Sequence, residues 1–309
     1  MSMPEGGGAG PVLAFIGLGN MGAPMSARLS AAGFSVQGFD VSEVARAALD
    51  EAGGSSRPDV ASAVDGADIV ILMLPNSQIV ESVLDSAGFR DSVGAGALVV
   101  DMSSSEPMRT RELAGRLAER GVRLVDAPVS GGVSGARTGK LTIMAGGTDE
   151  DVAEADTALQ VLGHSRHVGP VGSGHAIKAL NNLLSATHLW VTSEAMIVGE
   201  QFGLDPQIML DVFNGSSGRS GSTDNKWPNF ILPETYNSGF GLRLMLKDMR
   251  IAVDLAEKTD APSRLGADAV RLWAEAAEGM PAGADHTEVA RWIRANRDHP
   301  TGSETPEHQ

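Results

Sequence analysis

The 309-residue sequence contains no cysteine. This absence excludes disulfides, thiol catalysis and cysteine-ligated zinc or iron–sulfur sites, and it makes a cytoplasmic setting the default expectation. Basic residues are also few, since 24 Lys and Arg stand against 39 Asp and Glu. An acidic chain of this kind repels phosphate backbones and anionic membrane surfaces. We therefore expect neither a nucleic-acid nor a membrane partner.

Long apolar runs are missing as well. No segment has 18 or more consecutive apolar residues, so none is predicted to span a membrane. The N-terminal stretch MSMPEGGGAGP has neither the basic patch nor the apolar run of a signal peptide. We expect flexible tails over 1–11 and 298–309. The length exceeds the need of one domain of about 100 to 200 residues, which predicts two domains.

Short apolar runs alternate with Ala-rich helical segments from Val12 to about residue 172, the βαβ pattern of a parallel sheet. Only helical patterns follow. We predict an α/β half and then an all-α half, with strands over 12–19, 35–40, 67–74, 96–103, 122–129 and 141–147. The predicted C-terminal helices cover 173–203, 205–213, 223–231, 241–259, 262–279 and 285–296.

The motif Gly17-Leu18-Gly19-Asn20-Met21-Gly22 lies between the first predicted strand and a helix predicted over 21–32. In a dinucleotide-binding turn the first glycine makes the tight turn and the second lets a pyrophosphate approach the backbone. The third lets the helix pack on the strand. The phosphates would lie at the positive end of the helix dipole. The flanking strand and helix make this motif more specific than its glycines alone.

Asp40 ends the second predicted strand. An acidic side chain at this place can accept hydrogen bonds from the adenosine ribose and repel a 2′-phosphate, which favours NAD over NADP. The alternative interpretation is that Asp40 or Ser42 caps the following helix.

Two further segments follow apolar strands, where ligands of open α/β sheets bind. They are Leu74-Pro75-Asn76 and the stretch around Ser104. Ser105 and Pro107 can also serve as the N-cap and early proline of the next helix, so the cofactor prediction there depends on Ser104.

Lys178 lies in an apolar helical stretch, GSGHAIKALNN, over 172–182. Asn182 follows four residues later, so both side chains project from one helix face. Burial beside a nicotinamide cation would lower the pKa of the lysine toward neutrality, which suits proton exchange with a hydroxyl group. Read alone, the segment also fits a snorkelling lysine with a capping asparagine. His175, one turn earlier, is the rival acid or base.

Ser130-Gly131-Gly132 follows a predicted strand and offers a hydroxyl and open backbone N–H groups, which suit a carboxylate but also an ordinary turn. Other cationic side chains fit solvated surface charges better than carboxylate ligands: Arg137, Lys140 and Arg219. Several histidines have no carboxylate at a convincing ligand spacing, so no metal site is predicted at His164, His167 or His175.

Four stretches together resemble the signature motifs of the β-hydroxyacid dehydrogenase family: FIGLGNMGAPMSARL (15–29), DAPVSGGVSGARTGKLTIMAGG (126–147), GSGHAIKALNN (172–182) and GFGLRLMLKDMRIA (239–252). The resemblance covers about residues 12 to 297 and is closest to members that act on 3-hydroxyisobutyrate. Arg28 departs from the pattern, which usually has asparagine there, and this difference concerns local packing more than chemistry.

The resemblance implies a Rossmann domain over 12–172, a long interdomain helix, and an all-helical substrate and oligomerisation domain over 173–297, like that of 6-phosphogluconate dehydrogenase. It implies NAD-dependent oxidation of a short β-hydroxyacid to its semialdehyde. It also implies that Lys178 is catalytic, that Asn182 assists it, and that Ser130 to Gly132 hold the substrate. The implied cofactor contacts are Gly17 to Gly22, Leu74, Pro75, Ser104 and Lys247. Separately, the long helix that starts near Gly174 and the Ala-rich helical half suggest an apolar surface that another copy could cover, so we expect a homodimer or homotetramer.

Other functions remain open at this point. An NADPH-dependent reductase of tartronate or succinic semialdehyde shares the fold, and Asp40 disfavours it. Phosphogluconate oxidation resembles the chain less because it uses a much larger helical domain, and imine reductases typically lack the lysine at 178. A non-catalytic NAD-binding scaffold would have lost the proton donor that Lys178 supplies.

Overall fold

The computed structural model describes residues 10–296, so most of the two expected tails lies outside the described residues. The chain divides into two compact units between Leu180 and Asn181. The strands are β1 Val12–Ile16, β2 Ser35–Phe39, β3 Ser55–Ser56, β4 Ile69–Leu72, β5 Leu98–Asp101, β6 Arg123–Asp126, β7 Val129–Ser130, β8 Leu141–Gly146 and β9 Gly163–Gly169.

The helices of the first unit, through the start of α9, are α1 Gly22–Ala31, α2 Glu43–Glu51, α3 Val60–Val64, α4 Ser77–Leu84, α5 Ala87–Ser92, α6 Pro107–Ala118, α7 Gly132–Thr138, α8 Asp149–Leu162 and α9 Ser173–Phe202. The second unit adds α10 Pro206–Asn214, a π-helix Ser222–Ile231, α11 Leu242–Lys258, α12 Arg264–Gly279, a 3₁₀ turn His286–Glu288 and α13 Val289–Ala295. Within residues 10–296, no helix combines the length and the apolar character that a membrane crossing needs.

The strands of the first unit form one sheet in the order β3-β2-β1-β4-β5-β6-β8-β7, with β9 beside β8. The first six strands of this order, β3-β2-β1-β4-β5-β6, are parallel, and β8 runs antiparallel to β6. Every residue of β4 is buried, as expected for a parallel strand that is covered on both faces. The order 3-2-1-4-5-6 is that of a Rossmann fold, which confirms the predicted fold class. Its topological switch point lies between β1 and β4.

Three strands were not predicted separately from the sequence. The strand predicted over 122–129 is divided into β6 and β7. β3 has only two residues, and β9, with the sequence GHSRHVG, lies at an edge beyond β8 with most of its residues exposed or half-buried. The polar sequence of β9 hides it, because a pattern of apolar residues marks only strands that are buried on at least one face.

All the regular elements in the described part of the second unit are helices, as predicted, and they pack around a core that includes Trp190, Trp227 and Trp273. The helix predicted over 223–231 is a π-helix that contains Pro228, a residue without a backbone N–H to donate. The segment predicted as one helix over 285–296 begins with the 3₁₀ turn. A capping box of Asp285 and Glu288 starts that turn.

Candidate active site

The glycine turn follows β1 at the switch point of the sheet. Gly17 has φ +98°, and its N–H donates to the carbonyl of Phe39 at 2.9 Å. A Cβ on Gly22 would clash with the carbonyl oxygen of Gly17, whereas a Cβ on Gly19 would meet nothing within 4 Å. The first and third glycines therefore allow the turn itself, and the second leaves open space beside the start of α1. This shape fits a pyrophosphate that lies against the backbone.

Asp40 ties the glycine turn to the end of β2. Its Oδ2 accepts a 2.7 Å hydrogen bond from the Leu18 N–H, and its Oδ1 accepts one of 2.8 Å from the Ser42 N–H. Ser42 is the N-cap of α2 and accepts from the Ala45 N–H. Capping by Ser42 and an acidic side chain beside the glycine turn thus occur together. Each carboxylate oxygen retains a second lone pair that could accept from a ribose hydroxyl.

The loops after β4 and β5 are joined to one another. Ser103 Oγ accepts from the Leu74 N–H at 2.9 Å, and Ser77 Oγ accepts from the Glu106 N–H at 2.8 Å. Leu74 and Ser104 are half-buried, and Pro75 is exposed. These loops lie beyond the carboxyl ends of β4, which is the neighbour of β1, and of β5, which is the next strand in the sheet.

The expectation that Ser105 caps the next helix is wrong. Glu106 is the N-cap of α6 and Pro107 takes the first helical position, as the early proline predicts. The Ser105 hydroxyl instead donates to Asp101 Oδ2 at 2.9 Å, so it anchors the loop to the end of β5.

Lys178 lies in the second turn of α9 and is only 7 % exposed. A Cβ on Gly174 would clash with the backbone carbonyl of Met144 in β8, so glycine is needed for the helix to start this close to the sheet. Gly172, just before the helix, has φ +88°. The sequence around the lysine therefore sets how closely the helix approaches the carboxyl edge of the sheet.

Asp126, the last residue of β6, holds the start of α9. Its carboxylate accepts from the N–H of Gly172 at 2.6 Å and from the N–H of His175 at 2.7 Å. Burial raises the pKa of the Asp126 carboxyl, and the neighbouring His175 and these two hydrogen bonds oppose the rise. The His175 side chain is itself buried, with its ring nitrogens 2.9 Å from Thr110 Oγ1 and 3.1 Å from the Ser103 carbonyl oxygen. These partners disfavour His175 as a substrate acid or base.

In the second unit, Asn182 and Asp248 form a buried pair. The Asn182 amide nitrogen donates to Asp248 Oδ2 at 2.6 Å, and Lys247 Nζ lies 3.0 Å from Asp248 Oδ1. Asn182 and Asp248 are 5 % and 2 % exposed, while the Lys247 side chain is 27 % exposed. One carboxylate therefore orients the amide and also holds the ammonium of the residue before it.

The Ser130-Gly131-Gly132 segment joins β7 to α7. Gly131 and Gly132 have φ of +125° and +61°, which only glycine adopts without strain. Arg28 donates to the backbone carbonyls of Arg137, at the end of α7, and Val161, near the end of α8. The residue that departs from the family motif therefore packs the first helix against the helix that follows this segment.

The remaining polar candidates are at the surface. Arg219 pairs with Asp224 at 3.2 Å, and the other exposed members of this group are Arg137, Lys140, His164 and His167. Among residues 10–296, no group of three or more His, Asp or Glu side chains is arranged to hold a metal ion.

The sequence analysis did not predict the residues that hold the candidate site groups in place, among them Asp101, Asp126 and Asp248. Asp101 and Asp126 end neighbouring strands opposite one another, and this position was a usable signal because polar residues at the ends of buried strands face the ligand edge. Asp248 was not predicted as a site residue, because no local pattern connects it with Asn182.

Comparison with known proteins decides the family. Residues 12–172 match the family model described as the NAD binding domain of 6-phosphogluconate dehydrogenase. Residues 172–293 match the model described as NAD-binding of NADP-dependent 3-hydroxyisobutyrate dehydrogenase. The chain is 38 % identical over 269 residues to the NAD-dependent L-serine dehydrogenase of Pseudomonas aeruginosa, covering 84 % of this chain and 90 % of that protein. The chain belongs to the β-hydroxyacid dehydrogenase family. It is an NAD(P)-dependent oxidoreductase.

Two further members of the family show the range of its substrates. The chain is 36 % identical to the 2-(hydroxymethyl)glutarate dehydrogenase of Eubacterium barkeri, covering 84 % of this chain and 87 % of that protein. It is also similar to the structure of Mycobacterium tuberculosis 3-hydroxyisobutyrate dehydrogenase with L-serine, with a TM-score of 0.86 and 32 % identity. That match covers 92 % of this chain and 99 % of the other. The family predicted from the four motifs is confirmed.

Proposed function

We propose that this β-hydroxyacid dehydrogenase uses NAD to oxidise a short, 3-hydroxyisobutyrate-like acid to its semialdehyde, with Lys178 as the general acid–base. The observation that carries the proposal is the position of Lys178. Its side chain is buried on α9, and Asp126 ties the first turn of that helix to the carboxyl edge of the Rossmann sheet. Ligands of such sheets bind at that edge.

The residues at this edge fit a dinucleotide. The turn Gly17 to Gly22 would cradle the pyrophosphate, Asp40 the adenosine ribose, and the loops with Leu74, Pro75 and Ser104 the remainder. Lys247 would contact the cofactor from the helical domain. When bound, NAD supplies the hydride acceptor of the reaction.

Oxidation also requires that the hydroxyl proton leave, and a group within about 3 Å of that oxygen must accept it. In its neutral form Lys178 Nζ can take this proton, and as an ammonium it can return it in the reverse reaction. Asn182 would orient the substrate oxygen through its amide, which Asp248 holds in place. Ser130 and the two glycines after it would hold the substrate carboxylate with a hydroxyl and backbone N–H groups.

The names of the relatives narrow the substrate class. L-Serine, 3-hydroxyisobutyrate and 2-(hydroxymethyl)glutarate all have one framework, a 3-hydroxypropanoate with a substituent on carbon 2. They differ only in that substituent. We therefore propose that this enzyme oxidises the primary hydroxyl of a 2-substituted 3-hydroxypropanoate.

The preference for NAD is proposed from Asp40. Its carboxylate lies against the Leu18 N–H, where a 2′-phosphate would add a second negative charge. The family model that matches residues 172–293 is described with an NADP-dependent enzyme. This description supports the alternative cofactor, and with it the alternative function of an NADPH-dependent semialdehyde reductase. A non-catalytic NAD-binding scaffold is the third possibility, and the buried Lys178 disfavours it.

We also propose an NAD-binding domain over 12–172 and a helical substrate and oligomerisation domain over 173–297, in a cytoplasmic homodimer or homotetramer. Leu184, Val191 and Val198 support association, since they lie exposed at seven-residue intervals on α9.

The test is an NADH-absorbance assay with NAD or NADP and a set of acids: 3-hydroxyisobutyrate, L-serine, 2-(hydroxymethyl)glutarate and glycerate. Lactate, which lacks a hydroxyl on carbon 3, is the matched control. We expect NADH from at least one member of the set and none from lactate. If the protein binds NADH but oxidises no acid of the set, the non-catalytic scaffold is favoured.

A further inference from the structure

Two buried aspartates lie side by side at the ligand edge of the sheet. Asp101 and Asp126 are register partners at the ends of β5 and β6, and they are 1 % and 0 % exposed. Each carboxylate anchors a different segment. Asp101 accepts from the Ser103 N–H at 3.0 Å and from the Ser105 hydroxyl, so it holds the loop after β5. Asp126 holds the start of α9.

The ring of His175 joins these two segments. Its Nε2 lies 3.1 Å from the Ser103 carbonyl oxygen, and a carbonyl can only accept, so Nε2 must carry a proton. Its Nδ1 lies 2.9 Å from Thr110 Oγ1 on α6, and that hydroxyl also lies 3.0 Å from the Glu106 carbonyl. The ring is also 3.7 Å from Asp101 Oδ2 and 3.8 Å from Asp126 Oδ2, and its side chain is fully buried.

The two segments that His175 joins both carry residues assigned to the proposed reaction. Ser103 accepts from the Leu74 N–H through its hydroxyl and precedes Ser104, so its carbonyl belongs to the loops assigned to the cofactor. His175 is three residues before Lys178 on α9. A shift of one segment against the other would therefore move the proton-transfer group relative to the cofactor loops, and displacements of about 1 Å are costly in catalysis.

We propose that His175 is a positioning residue, which fixes the spacing between the cofactor loop at Ser103–Ser105 and the helix that carries Lys178 through its Nε2–H bond to the Ser103 carbonyl. This role rests on the proposed function, because it assigns those loops to the cofactor. The fully buried ring and the raised pKa of Asp126 are consistent with a network that is closed to solvent.

Two amide substitutions separate the two ring nitrogens. In His175→Gln the side-chain amide reaches the place of Nε2 and can still donate to the Ser103 carbonyl. In His175→Asn the shorter amide reaches only the place of Nδ1, so that carbonyl loses its donor. A buried carbonyl that loses its hydrogen-bond donor raises the free energy of the folded arrangement. We therefore expect His175→Asn to weaken NADH binding about tenfold. His175→Gln should stay within about threefold of wild type.

The experiment measures the Kd for NADH by fluorescence, the Tm of the protein without cofactor, and kcat against KM for each variant. Val152→Ala, a buried residue of α8 outside this network, is the control for lost stability. It should lower Tm and leave the Kd for NADH unchanged. A merely structural His175 would behave like Val152. The inference is overturned if His175→Asn binds NADH as wild type does, or if His175→Gln weakens binding as much as His175→Asn.

A measurement on the wild type covers the case in which His175→Asn does not fold. Imidazole NMR should show a proton on Nε2 of His175 that is protected from exchange and whose signal shifts when NADH is added. A bare Nε2, or a signal that NADH leaves unchanged, would overturn the inference. If the wild type itself does not bind NADH, the proposed function fails. Normal binding by His175→Asn would instead contradict the positioning role alone.

Discussion

The amide of Asn182 donates a 2.6 Å hydrogen bond to Asp248, a residue 66 positions later in the chain, and both side chains are buried. Asparagine has two rotamers of similar shape that exchange its donor and acceptor, and a carboxylate accepts only from the donor. Asp248 therefore decides which way the amide faces. The proposed assistance of Lys178 by Asn182 requires such a fixed orientation of the amide.

This pairing predicts a non-additive pair of mutations. Asn182→Ala and Asp248→Ala should each lower kcat/KM by roughly 10- to 100-fold, because each removes the oriented amide. The double variant should lose little more than either single variant, since Asp248 acts through Asn182. Steady-state kinetics of the four proteins gives the coupling. Fully additive losses would show that Asp248 contributes independently, for instance through Lys247.

The glycine turn predicts opposite effects at two of its glycines. Gly22→Ala places a methyl group against the Gly17 carbonyl and should lower the Tm of the protein without cofactor. Gly19→Ala places it in open space and should leave Tm unchanged, yet weaken NADH binding by at least about tenfold, because the pyrophosphate approaches there. Thermal unfolding and fluorescence titration test both. Normal NADH binding by Gly19→Ala would place the cofactor elsewhere.

Cofactor choice is predicted to depend on Asp40. Asp40→Ser with Val41→Arg removes the negative charge and adds a cation at a position that is 89 % exposed, so the kcat/KM ratio of NADP to NAD should rise at least about tenfold. Asp40→Asn is the control, since it retains an acceptor for the Leu18 N–H without the charge. A wild type that already prefers NADP would contradict the ribose argument.

Acid should destabilise the helical unit through His286. This side chain is 1 % exposed, and its Nδ1 donates to the Phe240 carbonyl at 3.0 Å. Burial, with help from the charge on Lys226, lowers the pKa of His286 to about 4. Its folded pKa thus lies below its unfolded pKa of about 6.5. The unfolded chain therefore binds more protons between these values, and stability that is present above pH ~6.5 is lost as the pH falls toward ~4.

The size of this effect is on the order of 3 kcal/mol at full titration. His286→Asn retains a donor near the Nδ1 position but does not titrate, so its free energy of unfolding should depend less on pH. Urea unfolding at pH ~7 and ~4.5 measures the difference. His164→Asn, at an exposed histidine, is the control. Equal acid sensitivity in wild type and His286→Asn would exclude His286 as the cause.

The sequence predicted the features that depend on local pattern. The glycine turn, the buried strands such as β4 and the long helix around Lys178 are visible because apolar period and glycine position determine them directly. β9 was missed because its sequence is polar. Ser105 was assigned as a helix cap because serine is a common N-cap and Pro107 follows at an early helical position, whereas its hydroxyl bonds to Asp101, four residues earlier.

The same limit applies within the candidate site. The sequence placed Lys178 and Asn182 on one helix face, but it gave no sign that Asp248 orients the amide, since no periodicity joins residues so distant in the chain. It also left His175 as a rival acid or base. Only the folded arrangement shows that its Nδ1 lies against Thr110 and its Nε2 against the Ser103 carbonyl.

The central claim is that Lys178 transfers the substrate proton, and the most direct test compares Lys178→Ala with wild type and with Lys140→Ala, an exposed lysine of the same unit. The measurement is kcat in both reaction directions together with the Kd for NADH. We predict that Lys178→Ala lowers kcat by roughly 10²-fold or more with NADH affinity near normal, and that Lys140→Ala changes neither. Wild-type turnover by Lys178→Ala would contradict the account.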